Sequence, residues 1–253
     1  MVSEPFAWPT GIEISNRPLR KVVRRSCAHT NGTSRTYKHP EHELTFIQGD
    51  SIHELLFLAF AEIDPNVTAI AAQPTQIVAH LNGKPFSHIP DFAVVVAGAG
   101  EIVEVKPDRA YADLTLRRRL AAAAEFVDST GWTYRVALAG DLHQHPLREQ
   151  VDDLWRRHRR TYTDLQKMAV HEAVGFGEKP VADVQRQTAG RLGASAPSLE
   201  HILSMAANAQ IFIDLSRPIG EHSLVRYPDR QAMPPILLPR RRPIQDLPAQ
   251  EAA

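Results

Sequence analysis

The sequence predicts an α/β fold in which a mixed sheet is flanked by helices. Apolar residues recur at helical spacing over residues 52–63, and runs rich in β-branched residues follow between Val67 and Val105. A second helical segment, Tyr111 to Asp128, precedes another strand-like run, Thr133 to Ala139. The order of a helix, several strands, a helix and a strand therefore indicates a mixed sheet with helices beside it.

The first helix has a recognisable start. Ser51 and Glu54 fit a capping box, with serine at the N-cap and glutamate three residues later. From the residues alone, Glu54 is a capping residue. After this helix, Val67 to Ala72 and Gln76 to Leu81 are predicted strands, and Asn82-Gly83 is a tight-turn signal.

Three charged side chains interrupt the apolar runs that follow. They are Asp91, Glu104 and Lys106, and each lies within or beside a run rich in β-branched residues. Burying a charge is costly unless the charge is paired or bound to a metal. Two nearby carboxylates and a lysine are therefore a candidate site for a divalent metal and an activated water.

The predicted hairpin places these three residues on one face of the sheet. With Ala97 to Gly100 as a four-residue loop, Asp91 pairs with Lys106 and Ala93 pairs with Glu104. Glu104 is then diagonal to Asp91, at roughly 7–8 Å. The prediction depends on this register, because a slip by one residue moves a strand's polar residues to the other face. The alternative is a surface hairpin with a cross-strand Asp–Lys pair.

Composition excludes few classes of protein. The chain has 253 residues, of which 43% are hydrophobic, enough for one large or two modest domains. No apolar run approaches the roughly 18 residues of a membrane span, and the polar, proline-bearing N-terminus is unlike a secretory signal. The single cysteine, Cys27, excludes an internal disulfide and is expected to be an ordinary thiol. We therefore expect a cytoplasmic protein with no membrane partner.

The formal net charge is zero, but arginine is clustered along the chain. The guanidinium group suits phosphate because its donors form a planar fork. Together with a metal site, these clusters favour a nucleic-acid backbone as partner, whereas solvated helix faces and tails are the alternative. The clusters are Arg17/Arg20/Lys21/Arg24/Arg25, Arg117–Arg119, Arg156/Arg157/Arg159/Arg160 and Arg240–Arg242.

The chain divides into four predicted regions. A basic N-terminal segment covers residues 1–45, and the sheet-containing domain covers residues 46–145. Residues 146–227 are mostly helical and end in a possible hairpin, whereas residues 228–253 are proline-rich and expected to be disordered.

The third region has a helix, turn, helix and hairpin pattern. Val181 to Leu192 and Ser198 to Asn208 are predicted helices, and Gln210 to Leu215 and His222 to Tyr227 are predicted strands. This order is typical of a winged helix, which can bind DNA or dock a protein. A small helical subdomain of no fixed type is the alternative.

Four motifs follow one another along this part of the chain. They are Ser51-x-x-Glu54, Gln73-Pro74, Pro90-Asp91-Phe92 and Val103-Glu104-Val105-Lys106-Pro107. Together they resemble a known family, the TnsA endonuclease subunit of heteromeric cut-and-paste transposases, and more broadly the restriction-endonuclease-like PD-(D/E)xK nucleases. The resemblance covers about residues 44–140 and is looser beyond.

The resemblance implies a restriction-endonuclease-like sheet with a winged-helix-like C-terminal domain, and it implies roles for five residues. Glu54, Asp91 and Glu104 would be catalytic residues that bind Mg²⁺ or Mn²⁺, with the Val105 carbonyl as a further metal ligand. Lys106 would orient or activate the attacking water. In TnsA the position matching Glu104 can be glutamine, so the acid here follows the wider superfamily.

The resemblance also implies a function and partners. The protein would be a magnesium-dependent endonuclease that cuts the 5′ strands at the double-stranded ends of a transposon. A DDE transposase subunit resembling TnsB would cut the 3′ strands, and an AAA+ ATPase resembling TnsC would license the reaction. The alternatives are a standalone phage, repair or defence nuclease and a non-catalytic adaptor with a nuclease-like fold.

Overall fold

The structure is a computed structural model that describes residues 7–15, 17–19, 32–36, 38, 45–158, 160–227 and 237–244. Cys27, most of the N-terminal basic cluster and residues 228–236 lie outside these ranges. The chain forms two compact units. The first contains Met1–Ala61, Val67–His145 and Leu238–Ala253, and the second contains Glu62–Asn66 and Pro146–Leu237.

The first unit contains most of the strands. A short 3₁₀ helix, Asp108–Ala112, precedes the second α-helix. The strands are β1 (Gly32–Thr36), β2 (Thr45–Gly49), β3 (Val67–Ala72), β4 (Ile77–Leu81), β5 (Lys84–His88), β6 (Phe92–Val96), β7 (Ala99–Lys106) and β8 (Thr133–Leu138). The α-helices are α1 (Ile52–Ile63), α2 (Leu114–Asp128) and α3 (Ala139–His143).

A five-stranded mixed sheet forms the centre of the first unit. Its order is β12-β8-β7-β6-β3, where β12 is Arg241–Arg242 near the C-terminus. β7 and β8 are parallel, and the other pairs are antiparallel. A parallel pair needs a long crossover, which α2 supplies between β7 and β8. The predicted mixed α/β fold is therefore confirmed at this level.

Helices cover this sheet because their apolar faces match it. On α1, Phe57 is fully buried and stacks on Phe92 of β6, with ring centroids 5.3 Å apart. On α2, Leu120 joins a buried cluster that includes Ala93 and Ile102 from the sheet. Phe92 thus packs against α1, whereas its neighbour Ala93 packs with residues of α2. Both faces of β6 are buried, which accounts for a strand that is apolar throughout.

Two details add to or change the predicted order of elements. Among the described strands, β4 and β5 pair with each other and form a hairpin separate from the five-stranded sheet. The second helix begins at Leu114 and not at Tyr111, because Asp113 is its N-cap and accepts hydrogen bonds from the N–H groups of Thr115 and Leu116.

The described part of the C-terminal tail contains a strand, whereas the sequence predicted disorder over 228–253. Arg241 and Arg242 pair with β8 at the edge of the sheet. The Arg241 guanidinium donates to both carboxylate oxygens of Glu101, at 2.7 and 3.1 Å, and Arg242 does the same to Asp141, at 3.0 and 2.7 Å. Two arginines of the predicted basic tail are thus neutralised within the fold.

The second unit consists mainly of helices with a small sheet. Its central strand, β11, pairs on both sides, and the sheet order is β10-β11-β9. The order along the chain from the second helix onward is helix, strand, helix, helix, strand, strand. The elements are α4 (Arg148–Trp155), α5 (Asp164–Val174), β9 (Lys179–Pro180), α6 (Val181–Leu192), α7 (Leu199–Ala207), β10 (Phe212–Ile213) and β11 (Leu224–Arg226).

Among the described residues, no helix combines the length and the apolar character that crossing a membrane requires.

Candidate active site

The turn of the hairpin that carries the candidate site is shorter than predicted. Val96 pairs with Ala99, so the turn consists of Ala97 and Gly98 alone. Both residues have positive φ, 49° and 85°, as a two-residue type I′ turn requires. The predicted pairing of Ala93 with Glu104 is therefore wrong, because Ala93 pairs with Ile102. The predicted register is wrong by two residues, and because side chains alternate with a period of two, Asp91, Glu104 and Lys106 keep the predicted face of the sheet.

Asp91, Glu104 and Lys106 meet at the end of this hairpin. The Lys106 ammonium lies 2.5 Å from Oε1 of Glu104 and 3.6 Å from Oδ2 of Asp91. Both carboxylates are buried, with 5% of Asp91 and 3% of Glu104 exposed. The surface-hairpin alternative does not fit this arrangement, because the lysine faces two buried acids and not one exposed partner.

Local hydrogen bonds fix the backbone and carboxylate of Asp91. The Val105 N–H donates to Oδ2 of Asp91 at 2.9 Å, which ties the acid to the middle of the Glu-x-Lys segment. The carbonyl oxygen of Asp91 accepts from the Gln73 N–H at 2.8 Å. Hydrogen bonds from Val105 near the end of β7 and from Gln73 just after β3 therefore hold the side chain and the backbone of Asp91.

Burial and charge move the pKa values of the three groups in different directions. Burial and the neighbouring charge of Glu104 raise the pKa of Asp91 to about 7, although Lys106 opposes them. Burial alone would raise the pKa of Glu104, but the His88 hydrogen bond and the Lys106 charge lower it overall. Burial alone would lower the pKa of Lys106, but the charges of Asp91 and Glu104 raise it overall. The site at neutral pH thus contains an ionised glutamate, a protonated lysine and an aspartate near its midpoint.

Glu54 lies at the start of α1 and participates in a variant of the predicted cap. Its N–H donates to the Ser51 hydroxyl at 3.2 Å, and its carboxylate accepts from the Asp50 N–H at 2.7 Å and the Ser51 hydroxyl at 2.9 Å. It is half-buried. Burial raises its pKa, the charge of Lys106 acts in the opposite direction, and the charge of Glu54 contributes to raising the pKa of Asp91. Glu54 is therefore within electrostatic reach of the site while it caps the helix.

The structure adds residues that the sequence did not indicate. Nε2 of His88, the last residue of β5, lies 3.4 Å from Oε2 of Glu104 and 2.9 Å from the Tyr134 hydroxyl. His88 stands three residues before Asp91, and that position is the signal that could have identified it. Tyr134 comes from β8 and gives no such signal in the sequence.

The donor set fits a hard divalent cation. The carboxylates of Asp91 and Glu104 supply oxygen ligands, and Oε2 of Glu104 is buried with Nε2 of His88 at the long distance of 3.4 Å. Mg²⁺ commonly uses one or two protein carboxylates and keeps several waters. Among the described residues, no group of three or more His, Cys, Asp or Glu side chains is placed to hold a metal. Glu54 is therefore not in the same compact ligand group as Asp91 and Glu104 in this arrangement, and the sequence-predicted set is only partly brought together.

A buried aspartate beside a Glu-x-Lys segment on the neighbouring strand of a mixed sheet is an arrangement suited to phosphodiester hydrolysis. Two acidic oxygen ligands and an ammonium are gathered where a phosphodiester could be bound and hydrolysed. Residues 64–138 match the family model of the TnsA-like endonuclease N-terminal domain. The chain therefore contains a TnsA-like endonuclease domain, which indicates a nuclease. The match includes Asp91, Glu104 and Lys106 but begins after Glu54. No curated protein matches the chain.

Proposed function

We propose that this protein is the metal-dependent endonuclease subunit of a heteromeric transposase and cuts the 5′ strands at transposon ends. The observation that supports this most directly is the buried group of Asp91, Glu104 and Lys106 inside the residues that match the TnsA-like domain. The mixed sheet with flanking helices is consistent with the restriction-endonuclease-like fold of PD-(D/E)xK nucleases.

In this proposal the carboxylates of Asp91 and Glu104 hold Mg²⁺ or Mn²⁺, with Glu54 and the Val105 carbonyl as further ligands. A bound divalent ion would stabilise charge on the attacking and leaving oxygens of the phosphodiester. The Val105 N–H keeps the Asp91 carboxylate aimed at the site by donating to Oδ2. Asp91 must lose its proton before it can bind a cation, since its pKa is about 7 without metal.

Lys106 acts as a cation in this scheme and not as a base. The two carboxylates raise its pKa, so the ammonium keeps its proton at neutral pH. It can therefore donate hydrogen bonds to an attacking water and to the charged oxygens of the phosphate, and orientation of the water is favoured over removal of its proton. His88 helps to hold Glu104, since its Nε2 lies 3.4 Å from Oε2 of Glu104 and 2.9 Å from the Tyr134 hydroxyl.

The second unit supports the subunit role by its topology. Its order of helix, strand, two helices and two strands, with β11 in the centre of the small sheet, is that of a winged helix. The second of the two consecutive helices, α7, has six buried residues, Ile202–Ala207, and no lysine or arginine. The buried residues pack inside the unit, but a helix without lysine or arginine is poorly suited to contact the phosphates and guanine edges of a DNA groove. This favours a protein partner, the transposase or the ATPase.

The test is metal-dependent nicking of a plasmid that carries transposon ends. Asp91→Ala and Lys106→Ala should each abolish 5′-strand cleavage in Mg²⁺ or Mn²⁺. Glu125→Gln and Lys84→Ala, which change exposed residues of the same unit, are the matched controls and should cleave normally. Nicking that survives both Asp91→Ala and a chelator would refute a metal-dependent nuclease.

The same assay separates the alternatives. We expect the purified protein alone to cut weakly and to become active when a DDE transposase subunit resembling TnsB and an AAA+ ATPase resembling TnsC are added. Robust, site-specific cleavage by the protein alone would favour a standalone phage, repair or defence nuclease. Full transposition with Asp91→Ala would favour a non-catalytic adaptor.

A further inference from the structure

Gln73 has an unusual backbone for a buried residue. It is 2% exposed and has a φ of 48°, in the left-handed region that residues other than glycine rarely adopt. Its N–H donates to the carbonyl of Asp91 at 2.8 Å, and its carbonyl accepts from the Leu19 N–H at 3.2 Å. Such conformations persist only where surrounding contacts hold them, and they are concentrated at functional sites.

The side chain of Gln73 connects this backbone to the start of α1. Its Nε2 donates to Oδ2 of Asp50 at 3.1 Å. The Asp50 N–H in turn donates to Oε2 of Glu54 at 2.7 Å. Three hydrogen bonds in series therefore join the backbone of Asp91 to the carboxylate of Glu54, although the two acids come from different elements of the fold.

The hydrogen bond between Gln73 and Asp50 leaves two buried oxygen atoms without partners, which is unfavourable for stability. Oε1 of Gln73 and Oδ1 of Asp50 are both buried and accept no hydrogen bond. Buried polar atoms in native proteins nearly always have a partner, and exceptions call for an explanation. The amide and the carboxylate are thus retained here despite two unsatisfied oxygens and a strained backbone.

We propose that Gln73 is a positioning residue that, through Asp50, sets the placement of Glu54 relative to Asp91 and thereby the affinity of the site for a divalent cation. The proposal rests on the metal-dependent function proposed above. Outer residues that orient metal ligands commonly change metal affinity by about 10–100-fold when they are replaced. Gln73 itself binds no metal or substrate in this scheme, and its side chain acts through its hydrogen bond to Asp50.

The test measures Mn²⁺ binding to the full chain by calorimetry, with nicking at varied Mn²⁺ as a second readout. Gln73→Ala should weaken Mn²⁺ binding by about tenfold and raise the Mn²⁺ needed for half-maximal nicking, with little loss of the rate at saturating Mn²⁺. Gln76→Ala is the matched control, since Gln76 also donates a side-chain hydrogen bond, to Ser87 at 2.8 Å, but is exposed and lies on the β4–β5 hairpin.

An exchange of the two partners distinguishes positioning from general stability. Gln73→Glu places two carboxylates against each other, and Asp50→Asn removes the acceptor charge, so each should weaken Mn²⁺ binding. The double variant Asp50→Asn/Gln73→Glu keeps the net charge and restores an amide-to-carboxylate hydrogen bond in the reverse direction. We expect it to bind Mn²⁺ within about threefold of the original protein. Thermal unfolding of each variant shows which of them are folded, and if Gln73→Ala does not fold, the Gln73→Glu and double variants supply the comparison.

Each outcome separates this inference from the proposed function. If the original protein binds Mn²⁺ and Gln73→Ala binds it equally well, the positioning role is refuted and the nuclease proposal stands. If the single variants bind weakly and the folded double variant is not restored, the effect does not act through Asp50 and the role is again refuted. If the original protein binds no Mn²⁺ and Asp91→Ala changes nothing, the metal-dependent function fails and this inference fails with it.

Discussion

Replacing Asp91 with asparagine should stabilise the metal-free protein at alkaline pH, although it removes a residue of the proposed site. Burial and the charge of Glu104 raise the pKa of Asp91 to about 7, against an ordinary value of 3.8. An acid with a raised pKa is harder to ionise in the folded protein than in the unfolded chain. Its ionisation therefore lowers the free energy of unfolding.

The size and direction of this effect follow from the two pKa values. At about 1.4 kcal/mol per pH unit, the difference between 3.8 and about 7 corresponds to a loss of about 4 kcal/mol once the folded Asp91 is ionised. The contribution of Asp91 to stability is fully present below pH 4, where both states bind the proton, and is lost as the pH rises through 7. An asparagine does not titrate, and its amide oxygen can still accept the Val105 N–H.

The assay is urea unfolding with a chelator at pH 5, 6.5 and 8. The free energy of unfolding of Asp91→Asn minus that of the original protein should increase by about 2–3 kcal/mol between pH 5 and pH 8. Glu125→Gln, an exposed carboxylate on α2, is the control and should show no such trend. Equal m-values for each pair of proteins would show that the comparison concerns the same transition.

Two results would refute the reasoning. A difference that stays constant from pH 5 to pH 8 would mean that Asp91 titrates at its ordinary pKa and is not held in a charged, dehydrated site. A constant difference in which the variant is less stable at every pH would mean that the Lys106 ammonium stabilises the ionised Asp91 more than burial and Glu104 destabilise it, because the pKa of Asp91 would then lie below 3.8 and the acid would be ionised throughout this range.

Further predictions concern the metal, the lysine and the C-terminal strand. Mn²⁺ affinity should fall about tenfold per pH unit below pH 7, since Asp91 must release its proton, and a calorimetric titration from pH 5.5 to pH 8 tests this. Lys106→Met should destabilise the metal-free protein at pH 8 by about 3 kcal/mol in urea unfolding, because it leaves a buried carboxylate pair without its cation. Arg241→Ala should cost about 2 kcal/mol, and much less in a Glu101→Gln background, which a double-mutant cycle measures. Deleting residues 238–253 should destabilise the first unit, and protection of β8 amides from hydrogen exchange should fall.

The sequence predicted the face of the sheet that carries the site but not the pairing of its strands. Asn82-Gly83 was predicted as a two-residue turn, and both residues have positive φ, 53° and 74°. Ala97-Gly98 forms the same kind of turn, but alanine rarely adopts positive φ, so this pair gives a much weaker turn signal than Asn-Gly within the predicted loop from Ala97 to Gly100. The face remained correct because the error was an even number of residues.

Contacts between distant parts of the chain could not be predicted. Arg241 on β12 and Glu101 on β7 are 140 residues apart in the sequence and meet in the same sheet, and two arginines among prolines give no strand signal. His88 reaches Glu104 from the β4–β5 hairpin, and Tyr134 reaches His88 from β8. The hairpin and β8 both pack against α2. Local patterns identify the charged groups of a site, whereas the residues that orient them are set by tertiary packing.

The arginine clusters also show that a local sequence pattern does not reveal tertiary contacts, in this case the contacts that decide which cations are available to DNA. Arg241 and Arg242 belong to a predicted phosphate-binding cluster, yet each forms a two-pronged ion pair with a carboxylate. Arg157, from another cluster, donates to Glu200 at 3.3 Å. Arginines that are paired inside the fold release few counterions on meeting DNA, and the affinity that depends on such release is correspondingly small. For these three arginines, the basic clusters of the sequence therefore overstate the charge that is available to DNA. This agrees with the proposal above that partner subunits would bring the protein to transposon ends.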